Sequence, residues 1–277
     1  MTTTQHDRAL AFRALHVPGD PLVLPNAWDI PSARVVADAG AAAVATTSAG
    51  LAWALGFADG DLLDRDSALA AVARITAAVD VPVSADVESG YAKDPAGVAD
   101  TIRAVIEVAG AVGVNIEDAL HEPGAPALRP VAEQAERIAA ARAAADEAGL
   151  PLFINARIDT YLRGPAEVAP TLERAAAFLA AGADGIFVPG AVDPGTVKLL
   201  VDGVDGPLNV MAGPGAPSVP ELAALGVARV STGSAIAQAA HALVRGAARE
   251  LLSAGSYGSL AGGLDYGELN TLLGGAR

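Results

Sequence analysis

The chain has 277 residues and carries 32 acidic against 18 basic side chains, a formal charge of −14. That balance excludes nucleic acid and anionic membranes as partners, since both require a basic footprint, and 52% hydrophobic with 18% charged residues excludes a disordered chain. The absence of cysteine removes disulfides, thiolate catalysis and Cys-ligated metals.

The amino-terminal MTTTQHDRALAF lacks a positive segment followed by an apolar run, so no secretory signal is read and a cytoplasmic location is expected. The uncharged stretch from Ala39 to Ala58 is of membrane-span length, yet it is built from Ala, Gly, Thr and Ser and breaks at Thr47-Ser48-Ala49-Gly50. It reads as a buried strand followed by a loop. The strand candidates, in order, are PLVLPNAW from Pro21, AAVATTS from Ala42, VPVSADVE from Val81, GVNIED from Gly113, PLFINARID from Pro151, DGIFVPG from Asp184, PLNVMAG from Pro207 and VARVSTGS from Val227. Several are apolar at consecutive positions, as parallel strands buried on both faces require.

Ala-rich helical segments run between them. Asp94-Pro95 and Asp193-Pro194 each set an N-cap acceptor before a proline at the first helical position, and Ser218 with Glu221 spells a capping box. Gly40, Gly110, Gly149, Gly182 and Gly226 fall where a glycine stops the preceding helix. After the eighth strand come a helix from Ala235 to Leu252, the glycine-rich SAGSYGSLAGG and a short helix near Tyr266 to Leu273. No linker divides the chain, so residues 1–277 are expected to form a single domain with 235–277 as a helical extension. Successive βα units predict an α/β fold, a (β/α)8 TIM-type barrel, with an open doubly wound sheet as the alternative that pattern alone allows.

In a barrel the carboxyl ends of the strands share one face. Those ends carry Asp29, Ser48, Asp86 with Glu88, Glu117 with Asp118, Asn155 with Arg157 and Asp159, Asn209, and Ser231 with Thr232. Asp86 and Glu88, two apart on a strand, point to one face, and Glu117 ends the next strand. Converging carboxylates repel unless a cation or proton intervenes, and hard oxygen ligands suit Mg²⁺ or Mn²⁺; the competing reading is that each caps a helix or pairs with a surface cation. Arg157 in an apolar strand requires an anionic partner, either a substrate carboxylate or phosphate or a barrel carboxylate such as Glu117. Ser48 sits where a tight turn offers backbone N–H groups to an anion. Gly213-Pro214-Gly215-Ala216-Pro217-Ser218 has prolines where a phosphate loop needs N–H donors. His121, just past Glu117-Asp118, is placed to serve as an acid or base.

These residues resemble the isocitrate lyase / phosphoenolpyruvate mutase superfamily. The matching stretches are LPNAWDIPSARVVADAG, TTSAGLAWALGFADGD, VPVSADVESGYA, VNIEDA and INARIDTYLRG, in family order over most of Leu24 to Gly164. The resemblance implies a (β/α)8 barrel in a homo-oligomer, dimer or tetramer, with C-terminal helices that can be exchanged between subunits. It implies Mg²⁺ (or Mn²⁺) on Asp86, with Asp59 of FADGD, Glu88 and Glu117 holding metal-bound waters. Arg157 and the backbone of Ser48, Ala49 and Gly50 would bind the substrate carboxylate, with Asn209 as a further contact. Arg157, Glu117 and His121 are the expected catalytic side chains.

One departure bears on the chemistry. Family lyases carry a Lys-Lys-Cys-Gly-His loop after the Glu-Asp pair, whereas this chain reads ALHEPGAPALRP, shorter and without the thiol, so isocitrate-type cleavage would need His121 or Glu122 in its place. The expected activity is therefore a Mg²⁺-dependent C–C lyase on a small 2-oxo or 2-hydroxy di- or tricarboxylate through a metal-stabilised enolate. Oxaloacetate-like decarboxylation needs no base to start, and retro-aldol cleavage does. The competing expectations are a phosphonate C–P mutase or hydrolase and a non-catalytic 2-oxo acid binding protein. A small carboxylate is the expected partner.

Overall fold

The computed structural model describes residues 4–121 and 124–274. Its strands are β1 (Leu22–Leu24), β2 (Asn26–Ala27), β3 (Val44–Thr46), β4 (Val83–Asp86), β5 (Gly113–Glu117), β6 (Phe153–Arg157), β7 (Gly185–Val188), β8 (Leu208–Met211) and β9 (Arg229–Ser231). All pairings are parallel, in the order β1-β9-β8-β7-β6-β5-β4-β3-β2. The predicted first strand is realised as two segments because Pro25, between them, has no N–H for a ladder. Leu22 to Leu24 pair with β9, and Asn26 and Ala27 pair with β3. The two edges of the sheet thus meet in consecutive residues, giving a nearly closed TIM-type barrel.

The predicted punctuation recurs in the structure. Asp94 and Asp193 accept from the amides of Gly97 and Thr196, each with a proline opening the helix, and Ser218 with Glu221 forms the capping box. The stop glycines Gly40, Gly110, Gly149, Gly182 and Gly226 all adopt positive φ, a conformation that costs other residues roughly 1–2 kcal/mol. These stops bring each chain segment back to the amino-terminal end of the barrel, where the next strand begins.

That end is closed by the helix Gln5–Ala14. Phe12 is fully buried and meets Phe153, the first residue of β6, edge to face at 5.8 Å, while His16 stacks on Phe153 at 3.8 Å. A Cβ on Gly113, the first residue of β5, would lie 2.6 Å from the Phe12 ring, so only glycine fits beneath this floor. Above it the barrel interior is polar. Asn155 Nδ2 donates to Asn115 Oδ1 at 2.9 Å, Arg229 Nη2 donates to the same oxygen at 3.3 Å, and Ser231 Oγ donates to Asn209 Oδ1 at 3.2 Å.

Past β9, the helix Ala235–Ala254 runs away from the barrel and buries only Ala237. Leu243, Val244, Leu251 and Leu252 remain exposed, Leu252 at 87%. Glu250 then accepts from the amides of Gly258 and Ser259 and the Ser256 hydroxyl, pinning the chain reversal. The last helix, Tyr266–Gly274, returns to the helix Ile30–Asp38, where Arg34 donates to the carbonyls of Leu272 and Leu273. No described helix is long and apolar enough to cross a membrane.

The floor makes stability sensitive to acid. His16 Nδ1–H donates to the Phe12 carbonyl at 2.8 Å, and burial, reinforced by the Arg229 charge, pushes its pKa down to about 3. An unfolded histidine protonates near pH 6.5, so between that pH and about 3 the unfolded state binds the extra proton and stability falls as pH falls. Urea unfolding from about pH 6 to 4 should show a steeper loss in the wild type than in His16→Gln, by up to ~1.4 kcal/mol per pH unit. Equal slopes would assign the sensitivity to other groups.

Candidate active site

The carboxyl ends of β3 to β6 assemble one acidic patch. At the end of β4, the Asp86 N–H donates to Thr46 Oγ1 at 2.9 Å, and Asp86 Oδ2 accepts the N–H of Ser48 at 3.1 Å. Ser48 opens the helix Ser48–Ala54, so the predicted anion contact of the TTSAG turn is made to the protein's own carboxylate. The first-turn amides of Ala49 and Gly50 have no intrahelical acceptor, and neither has a hydrogen-bond partner among the described residues. Burial pushes the Asp86 carboxyl upward, against the pull of Arg157.

Arg157 lies opposite Glu117 in the β5–β6 register. Its Nη1 meets Glu117 Oε2 at 2.6 Å, while Nε and Nη2 grip Asp159 in a bidentate fork at 2.7 and 2.8 Å. Glu117 is 3% exposed and Asp159 is 0% exposed. Burial works against the charge of Arg157, but Glu117 and Asp159 outweigh it and hold the guanidinium above its ordinary pKa. Three of its five N–H groups are engaged, leaving two for another anion. Asp159 N–H donates to Asp118 Oδ1 at 2.9 Å, and Arg174 pairs with Asp118 Oδ2 at 3.0 Å. Burial pushes Asp118 up to about 6.

The second oxygen of Glu117, Oε1, lies 2.7 Å from His121 Nε2. His121 Nδ1 accepts from Arg163 Nη2 at 2.9 Å. The Glu117 hydrogen bond raises the His121 pKa, while burial raises that of Glu117 against the charge of Arg157 and the His121 hydrogen bond. Glu88 does not continue the strand beside Asp86 as its spacing predicts. β4 ends at Asp86, and Glu88 takes φ +49°, turning toward the loop that precedes the helix Arg65–Thr76. There its Oε2 accepts the Asp61 N–H, and Tyr91 O–H donates to its Oε1 at 3.4 Å. Asp61 and Tyr91 also have positive φ, so three non-glycine residues in contact here hold strained backbone. Burial, together with the charges of Asp61, Asp86 and Asp59, pushes Glu88 up to about 8.

Among the described residues, one group of His, Asp and Glu side chains brings its ligand atoms within 4.8 Å of one another: Asp61, Glu88 and His121. It borders a cleft of about 810 Å³ lined in part by Gly60, Ser89, Tyr91 and Arg129. Two carboxylates and an imidazole are a chemically sound donor set for a divalent cation. Of the four metal ligands expected from sequence, Glu88 belongs to this group. Asp59 is exposed and acts on Asp86 and Glu88 through its charge. Glu117 has both oxygens engaged by His121 and Arg157.

Asn209 lies within β8 at 1% exposure, inside the barrel, with Nδ2 unpartnered among the described residues. Asp29 caps the helix Ile30–Asp38 through the Ser32 amide, the plain reading of a strand-end carboxylate. Glu122 lies outside the described residues. Sequence reasoning missed Asp61 and Arg163. Asp61 stands two residues beyond Asp59 in FADGD, and only the loop path decides which of the two turns inward. Arg163 reaches His121 across 42 positions.

The model of the phosphoenolpyruvate phosphomutase family matches residues 12–252. An uncharacterized protein of Mycobacterium tuberculosis (strain ATCC 25618 / H37Rv) is 39% identical over 226 residues, 81% of this chain and 82% of that one. A solved structure from Burkholderia cenocepacia J2315, described as a candidate phosphonomutase, is 43% identical with a TM-score of 0.84, covering 91% of this chain and 100% of that chain. The structure of 2,3-dimethylmalate lyase, described as a member of the PEP mutase/isocitrate lyase superfamily, is 27% identical with a TM-score of 0.84, covering 96% of this chain and 94% of that chain. With its barrel, its strand-end carboxylates and a family match across most of its length, the chain belongs to the phosphoenolpyruvate phosphomutase family, within the superfamily that joins these mutases to the isocitrate lyases.

Proposed function

We propose that the chain is a divalent-metal-dependent lyase that breaks a C–C bond next to the carboxylate of a small 2-oxo dicarboxylate, with loss of CO₂ from an oxaloacetate-like substrate as its leading reaction. The observation that carries this reading is the strand-end patch in which Arg157, flanked by Glu117 and Asp159, keeps two N–H groups and acts through its charge on Asp86, which in turn accepts the Ser48 amide at the start of the helix carrying Ala49 and Gly50. Carboxylates in surplus over cations match a metal ion that brings the missing positive charge.

A divalent cation held by these carboxylates supplies an electrophile for the carbonyl oxygen beside the breaking bond. The residues supply the rest. Arg157 fixes the substrate carboxylate in one orientation because its own plane is locked by the Asp159 fork. The amides of Ala49 and Gly50, at a helix start, add donors to the same anion. His121 has Nε2–H on Glu117 and Nδ1 under Arg163, so neither ring nitrogen faces a substrate hydroxyl. A retro-aldol cleavage needs a base at that hydroxyl, whereas departure of CO₂ from a 2-oxo acid does not, which favours decarboxylation.

The superfamily holds both lyases and mutases, and the candidate phosphonomutase from Burkholderia cenocepacia makes C–P chemistry the second reading. We also infer that the C-terminal helices are completed by another copy of the chain. A 20-residue helix burying one side chain leaves an apolar face without a partner, and an apolar groove of about 720 Å³ lined by Leu22, Val23, Val36 and Ile236 lies at its base.

Metal-dependent release of pyruvate or glyoxylate should be assayed with oxaloacetate, isocitrate, methylisocitrate, substituted malates and phosphonopyruvate. Oxaloacetate should turn over and the hydroxy acids should not. Phosphonopyruvate turnover alone would establish the C–P reading, and metal-dependent binding of 2-oxo acids without turnover would make the chain a binding protein. Asp86→Asn should lower kcat by ~10²-fold or more, the scale of a lost electrostatic contact at the reacting group. Arg157→Lys keeps the charge but loses the fork, and should raise KM by about 10-fold or more; an unchanged KM would remove Arg157 from substrate binding. In sedimentation equilibrium the wild type should be a dimer or larger, and Leu252→Glu should shift it toward monomer.

A further inference from the structure

We propose that the mouth of the barrel from β7 to β9 is a subsite for an uncharged alkyl group, so that the substrate is a 2-oxo dicarboxylate with a short alkyl chain, and no third carboxylate, on the carbon that loses CO₂. This rests on the decarboxylation reading above and names its substrate class.

The first support is the division of charge around the mouth. The carboxyl ends of β4 to β6 carry Asp86, Glu88, Glu117, Arg157 and Asp159. The loops after β7, β8 and β9, residues 189–193, 212–218 and 232–234, hold one charged residue, Asp193, which is exposed and caps the helix Pro194–Gly203. Between these loops lies a pocket of about 410 Å³, lined in part by Val192, Met211, Ala216, Thr232, Ser234 and Gln238. Among the described residues no charged side chain lines it.

The second support is its connection to the reacting end. The Asp86 N–H donates to Thr46 Oγ1 at 2.9 Å, Asn26 Nδ2 donates to the Thr46 carbonyl at 2.9 Å, and the Thr232 N–H donates to Asn26 Oδ1 at 3.0 Å. The pocket wall at Thr232 is therefore joined to the Asp86 backbone through two buried residues, Asn26 and Thr46.

The third is the helix start that borders the pocket. The helix Ala235–Ala254 begins there, and a helix start attracts anions. Here the Thr232 carbonyl takes the Ala235 amide at 3.1 Å, the Ser234 carbonyl takes the Gln238 amide at 2.9 Å, and Ala237 is fully buried against Gly50. The partial charge that remains does not offset the desolvation of a full carboxylate among Val192, Met211 and Ala216. An alkyl chain gains instead, roughly fourfold in affinity for each buried methylene. Met211 adapts to chains of different length because its thioether is flexible. A Cβ on Gly233 would lie 2.6 Å from Met211 Sδ, so glycine at 233 leaves the thioether its place.

In the reaction the C3–C4 bond breaks, its electron pair stays on C3, CO₂ departs, and C3 takes a proton from solvent. 3-Ethyloxaloacetate then gives 2-oxopentanoate and oxalosuccinate gives 2-oxoglutarate, two 2-oxo acids of equal length that end in a methyl and a carboxylate. Titration calorimetry on the full chain with Mg²⁺ should find 2-oxopentanoate bound ~10-fold more tightly than pyruvate, and 2-oxoglutarate ~10-fold more weakly than 2-oxopentanoate. CO₂ release should rank 3-ethyloxaloacetate above oxaloacetate and oxaloacetate above oxalosuccinate. Gly213, on the pocket wall, has no left-handed backbone and nothing within 4 Å of an added Cβ. Gly213→Leu therefore fills the pocket without strain and should cut the preference for 2-oxopentanoate over pyruvate by ~10-fold. Gln238→Arg, at an exposed position, should tighten 2-oxoglutarate binding and leave 2-oxopentanoate behind. Wild-type binding of 2-oxoglutarate as tight as that of 2-oxopentanoate would overturn the proposal and make the helix start an anion subsite. Equal affinity for pyruvate and 2-oxopentanoate, or preferences that neither variant moves, would also overturn it. The calorimetric preference without CO₂ release from any substrate would leave the subsite standing and remove the proposed reaction, and failure to bind any 2-oxo acid would remove both.

Discussion

The Arg157 guanidinium makes the interactions on which the carboxyl end of the barrel depends. Glu117, Asp118 and Asp159 are almost wholly buried, and an isolated buried carboxylate is too costly to keep charged. Arg157 binds Glu117 on one side and Asp159 on the other, and Asp159 passes the constraint to Asp118 and Arg174. Two arginines thus flank three buried carboxylates in a network running from β5 through β6 to the helix Val168–Ala180, which carries Arg174. Removing the arginine would leave its partners unpaired in a low-dielectric setting, a loss of roughly 3–5 kcal/mol for buried pairs. The same network limits how Arg157 serves a substrate, because only its outer N–H groups remain.

Carboxylates further from Arg157 meet their charge differently. Glu88 pairs with no cation among the described residues, and burial pushes it up to about 8. Its left-handed backbone, shared by its neighbours Asp61 and Tyr91, turns it out of the β4 line and toward Asp61 and His121. Strain concentrated on three contacting residues persists only because the surrounding packing maintains it.

The barrel interior repeats the theme at lower charge. Barrels of this kind commonly fill their centre with branched aliphatic side chains, but this one stacks Asn115, Asn155, Asn209 and Arg229 there. Arg229 is nearly inaccessible, bonded to Asn115, and pushed down to about 9 by burial. The aromatic floor of Phe12, His16 and Phe153 seals this polar layer from below, which explains why a glycine is required at position 113.

The amino-acid sequence by itself determined the elements whose causes are local. A glycine with positive φ, an aspartate before a proline and a run of buried β-branched residues act within a few residues, so helix stops, caps and strands were legible, as was the gathering of Asp86, Glu117 and Arg157 at one end. Tertiary structure decided what depends on residues far apart in the chain. Pro25 divides the first strand because its two halves face different neighbours, β9 and β3. Ser48 offers its amide to Asp86 rather than to an outside anion, Arg157 is largely neutralised by the protein's own carboxylates, and Asp61 rather than Asp59 joins Glu88 and His121. Each of these outcomes is set by the path of a loop and by competition among charges for the same partner. Such competition is resolved only when the elements are packed, because electrostatic energy depends on distance and burial, neither of which is written in residue order.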